Sequence, residues 1–130
     1  MQFVGFFCEI EPDNPDVYSA PISLALAGAD GYPAEEMARY LESGHPIFDV
    51  MEGTRDVVGD LFHSPGGSSL LTDGRFVWRV DLASYVKHYC LGLSDEFLNH
   101  AAGHSYQVPD VPFRQLLEIS VSAAGRLGYR

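Results

Sequence analysis

Apolar and polar positions along this chain change period several times, and each change marks an element. In "FVGFFCEI" (3–10), Val4, Phe6, Cys8 and Ile10 alternate with Phe3 and Phe7, so both faces are apolar. That pattern predicts a strand buried on both sides, central in a sheet. "EPDNPD" (11–16) is an acidic turn with two prolines. "VYSAPISLALAGADG" (17–31) is broken by Pro21, and the apolar run after it fits either a strand or a short helix. From Pro33 the period turns helical, with Met37, Tyr40 and Leu41 on one face. Pro33 suits the first helical position, Glu35 and Glu36 suit the positive end of the helix dipole, and Gly44-His45-Pro46 ends the run.

"HPIFDVMEG" (45–53) alternates irregularly as a strand would, and "TRDVVGDLFHSPGG" (54–67) reads as a connection. Then comes the sharpest local grammar, "SSLLTDGRFVWRV" (68–80). Asp73-Gly74 between two strand-like runs predicts an antiparallel hairpin with a two-residue type I′ turn. In its second strand Phe76, Trp78 and Val80 share one face, and Arg75, Val77 and Arg79 the other. Trp78 therefore reads as a core anchor with its N–H satisfied by a neighbour.

Asp81 is expected to cap a helix whose stripe is Leu82, Tyr85, Val86 and Tyr89, and Ser94 to cap another with Phe97, Leu98, Ala101 and Ala102 inward. A last helix is expected from about residues 110–112 to Ala124, ended by Gly125. Together these elements predict one α+β domain over residues 1–130, a small antiparallel sheet of about four strands carrying about four helices.

Charge narrows what such a domain does. The chain has 130 residues and a formal net charge of −10. Residues 1–54 hold ten acids against Arg39 alone, so nearly all of that charge lies in the first part. One lysine in the whole chain rules against nucleic acid as a partner, since phosphate binding needs clustered bases. The same field attracts basic proteins and speeds encounter with them. Membrane is not expected either, because no stretch approaches the roughly 20 apolar residues of a span. The N-terminus lacks a basic region and turns acidic within nine residues, unlike a signal peptide, so a cytoplasmic location is expected, with Cys8 and Cys90 as free thiols.

Candidate chemistry is sparse. His100 and His104 stand at i, i+4, a spacing compatible with zinc, yet "HAAGH" has no glutamate beside the first histidine to act as general base. "SPGGSS" (64–69) leads into a strand and so lacks the helix N-terminus of a phosphate loop. His88 lies two residues from Cys90, pointing elsewhere on a helix. The reading is a non-enzyme with no metal and no cofactor. Its alternatives are a small metal-dependent or hydrolytic enzyme using His100, His104 or His63, and an adaptor module.

"GGSSLLTDGRFVWRVDLASYVKHYCLGLSDEFLNHA" (66–101) resembles a block found in small bacterial cytoplasmic proteins, several of them similar to immunity proteins carried beside polymorphic or contact-dependent toxins. The shared residues are Asp73, Gly74, Trp78, Leu82, Ala83, Tyr85, Val86 and Glu96-Phe97, and "YLESGHPIFDVMEG" (40–53) resembles the junction that precedes the block. Phe76 stands where a tryptophan is common in that group, and Ser94 where a proline is common. The resemblance implies an inhibitor that binds one cognate toxin domain and occludes its active site. With the charge asymmetry it implies a basic partner docking on acids among Glu9, Glu11, Asp13, Asp16, Glu35, Glu36 and Glu42, with Glu35 expected to pair with Arg39.

Overall fold

The computed structural model describes residues 1–27, 31–89 and 91–129. Its centre is the hairpin around Asp73-Gly74, formed by β5 (Leu70–Thr72) and β6 (Phe76–Arg79) in antiparallel register, Leu71 opposite Trp78 and Thr72 opposite Val77. The turn differs from the expected two-residue form, because four residues separate Thr72 from Val77. Asp73 explains the change. Its carboxylate accepts the backbone N–H groups of Arg75 and Phe76 at 3.0 and 2.8 Å, an Asx arrangement that needs only one left-handed residue. Gly74 supplies it, at φ +102°.

β2 (His45–Phe48) pairs antiparallel with β5, and β1 (Gln2–Phe3) pairs parallel with β6, giving the order β1-β6-β5-β2. The sheet is thus mixed rather than purely antiparallel. The segment 3–10 is an edge and not a central strand. Gly5 takes φ +76°, where a Cβ would lie 2.6 Å from the Leu82 side chain, and the kink ends the strand. Across it the side chains do not alternate as expected: Val4 and Phe7 enter one core cluster, Phe6 the other. Within 54–67, expected as a plain connection, β3 (Thr54–Arg55) and β4 (His63–Ser64) form a separate two-stranded ribbon.

Both faces of the sheet are covered. Leu71, Phe76 and Trp78 meet α2 (Ala34–Glu42), α3 (Leu82–His88) and α4 (Asp95–Gly103). Leu70 and Val77 meet Phe6, Val17 and Tyr18 together with α5 (Phe113–Leu127). The ambiguous run after Pro21 is the short helix α1 (Ile22–Ala27). Among the described residues, five helices and six strands therefore replace the expected four and four, within the expected α+β class.

Helix ends were partly legible. Ser94 caps α4 through the Phe97 N–H as expected, and Met37, Tyr40 and Leu41 are fully buried on α2. Pro33 sits one residue before α2, at the cap position. Ala102 faces outward, and Gly103 continues α4 to its end. Gly125 lies inside α5, because Gly128 takes the left-handed conformation that ends the helix. No helix among the described residues is long and apolar enough to cross a membrane.

Candidate functional site

Strand alternation carries Arg79 away from Trp78, onto the face covered by α5. There its side chain is 5% exposed and forms a two-point ion pair with Asp81, Nε to Oδ1 at 3.1 Å and Nη2 to Oδ2 at 2.8 Å. Arg79 also donates to the Tyr18 hydroxyl at 3.2 Å, and Thr54 donates to Asp81 Oδ2 at 2.8 Å. Asp81 consequently does not cap α3 with its side chain; its backbone carbonyl starts the helix instead, accepting from Ser84 and Tyr85. A buried guanidinium left alone costs far more than one unmet helix N–H, so the carboxylate goes to Arg79. Burial pushes the Asp81 carboxyl above its usual range, against the pull of Arg79 and the Thr54 hydroxyl.

Above this pair lies a cleft of about 640 Å³. Arg79 and Tyr18 line it from the buried side, and exposed Glu11, Asp13 and Arg126 line its rim. The acidic turn is held there by the Asn14 side chain, which donates to the Arg126 carbonyl, and by Val17 and Tyr18 anchored in the core below.

The seven predicted acids do not form one surface. Glu11, Asp13 and Asp16 are exposed on the turn, and none makes an ion pair among the described residues. Glu9 is taken up internally: its carboxylate accepts the Ile22 N–H at 2.8 Å, at the first residue of α1, which holds it below the usual carboxylate range despite some desolvation. Glu35, Glu36 and Glu42 lie on α2, whose buried side belongs to the opposite face of the sheet. There Glu42 is engaged by Lys87 at 2.8 Å. The expected Glu35–Arg39 pair does not form; Glu35 and Glu36 are exposed without a cation within 4 Å among the described residues.

Of the three candidate histidines, His100 and His104 lie together on α4 and its cap, and His63 lies apart on β4. The His100 and His104 rings touch, centroids 4.6 Å apart, but His104 Nδ1 bonds the His100 carbonyl. His100 Nε2 turns inward to lie 3.3 Å from Asp73 Oδ2. The distance suits a hydrogen bond but the direction does not, so this buried nitrogen is left without a partner. Asp73 Oδ2 is already bonded by the Tyr40 hydroxyl at 2.6 Å. His63 is exposed on β4, packed at Gly53. No group of three or more His, Cys, Asp or Glu among the described residues is arranged to hold a metal ion. Cys90 lies outside the described residues; Cys8 is a free thiol donating to Glu9.

Burial pushes His100 below the usual histidine range of 6.5, more than Asp73 raises it. The unfolded chain then takes up a proton that the folded state resists. The associated stability is complete above pH 6.5 and is lost as pH falls toward the depressed folded value. We expect acidification from about pH 7 to 5 to weaken the wild type more than His100→Gln. Urea unfolding at a series of pH values checks this; parallel profiles for the two proteins would refute it.

Sequence reasoning missed Asp56. It is buried and accepts the N–H groups of Val58, Gly59 and Leu61 as well as the Tyr89 hydroxyl, which orders the loop between β3 and β4. These donors outweigh burial and hold its carboxyl below the usual range. The signal available was an aspartate followed by Gly59-Asp60, a turn composition. No family model, curated protein or solved structure matches this chain.

Proposed function

We propose that this protein is a cytoplasmic inhibitor of the immunity type, which binds one basic toxin domain and occludes its active site. The observation that supports this best is the acidic turn: Glu11, Asp13 and Asp16 are exposed and free of ion pairs among the described residues, on a backbone tied to the core. An anchored turn presents its charges without the ordering cost of a floppy one. Glu11 and Asp13 also line the cleft beside it, together with Arg79 and Arg126. Glu35 and Glu36 form a second patch that steers approach without sharing this contact.

The experiment is co-expression with the C-terminal domain encoded by the neighbouring upstream gene. Protection of the host and a stable complex are expected, and failure of both refutes the reading. In the complex, reversing Glu11, Asp13 and Asp16 to lysine is expected to slow association about tenfold or more at low salt and to flatten its salt dependence. Unchanged association kinetics would move the contact away from this turn.

A further inference from the structure

α5 carries apolar side chains on two faces. Ile119, Ala123 and Leu127 are buried against the sheet. Phe113, Leu117 and Val121 repeat at four-residue spacing and stand 79%, 53% and 68% exposed. At 100° per residue this second stripe lies across the helix from Arg126. The Arg126 guanidinium sits over the Phe3 ring at 4.8 Å, on the β1 side of the sheet. The exposed stripe therefore turns toward the opposite edge, where β2 ends the sheet. Pro46 within β2 brings no N–H to that edge, so the apolar helix, and not strand pairing, is what this side offers.

We propose that α5 packs antiparallel against α5 of a second copy of this chain, making a two-fold dimer centred near Leu117. A two-fold interface must be self-complementary. With the axis at Leu117, Phe113 of one copy faces Val121 of the other, and Leu117 meets its own equivalent. Arg114 and Glu118 lie on the same flank of the stripe, four residues apart. The two-fold sets Arg114 of each copy beside Glu118 of the other, with an axial offset of about two residues, or about 3 Å. Ser120 and Ala124 border the stripe with small side chains, which lets two helix axes approach closely. Charge favours this occupant too. α5 itself holds two arginines against one glutamate, so the helix brings no acidic surplus of its own to the contact.

Sedimentation equilibrium of the chain alone, from about 1 to 300 μM, reads the proposal directly. The mass is expected to rise from 14.3 kDa toward twice that value. Leu117→Glu, at an exposed site, is expected to keep the parent's circular dichroism and stay at 14.3 kDa throughout. Arg114→Glu should weaken dimerisation about fivefold or more, by placing like charges together, and adding Glu118→Arg should restore it. A wild type that remains monomeric across the range overturns the proposal, as does a Leu117→Glu variant that associates like the parent. A double variant no stronger than Arg114→Glu alone overturns the antiparallel register. None of these measurements needs the toxin domain, so they stand apart from the function proposed above.

Discussion

Replacing Asp81 with alanine is expected to cost about 3–5 kcal/mol, because it leaves the Arg79 guanidinium buried without its counter-charge. Arg79 is 5% exposed and Asp81 3%, so little water reaches the pair in the folded protein. Thr54 loses its acceptor at the same time. Asp81→Asn keeps the shape and one acceptor but removes the charge, and should fall nearly as far. Changing Arg79→Met together with Asp81→Leu should recover most of the loss, since an apolar pair of similar size escapes the desolvation penalty of two ions. Urea denaturation monitored by circular dichroism measures all three. A loss below about 1 kcal/mol for Asp81→Ala would mean that Arg79 reaches solvent, and the ion pair would then be a minor feature.

Trp78→Ala is expected to be comparably damaging, about 3–5 kcal/mol. The indole is fully buried between Tyr40 and Phe97, at centroid distances of 5.9 and 5.6 Å, and its N–H donates to the Leu41 carbonyl at 3.0 Å. Gly44 is kept small by the same ring, since a Cβ there would lie 2.7 Å from it. Trp78→Phe should lose less, because it retains much of the apolar volume while giving up the hydrogen bond. Trp78 is the chain's one tryptophan, so the parent's fluorescence reports this site alone. Emission characteristic of an exposed indole in the folded protein would contradict the burial on which the prediction rests.

Asp81 and Trp78 also divide what local pattern reveals from what it does not. Trp78 was legible because its face of the strand is apolar at every second residue and continues into an amphipathic helix. Asp81 stood where a cap belongs, and nothing nearby in sequence indicated that Arg79 would be buried. Its burial depends on α5 and Tyr18, which lie far from it along the chain. The same holds for the acids. All seven look alike in sequence, yet Glu9 is spent on the start of α1, Glu42 on Lys87, and the rest divide between two faces of the sheet.

The sequence by itself determined the α+β class, the hairpin at Asp73-Gly74, the inward faces of α2 and α3 and the Ser94 cap. These depend on periodicity and on bonds between residues a few positions apart, which every copy of the local pattern reproduces. Only the tertiary structure decided that the N-terminal run is a kinked edge paired parallel to β6, that Asp81 serves Arg79, and that α5 keeps a second apolar stripe in the open. Each of those outcomes is a choice between partners distant in the chain. It is settled by which unmet charge, donor or apolar face would cost most if left alone in the assembled core.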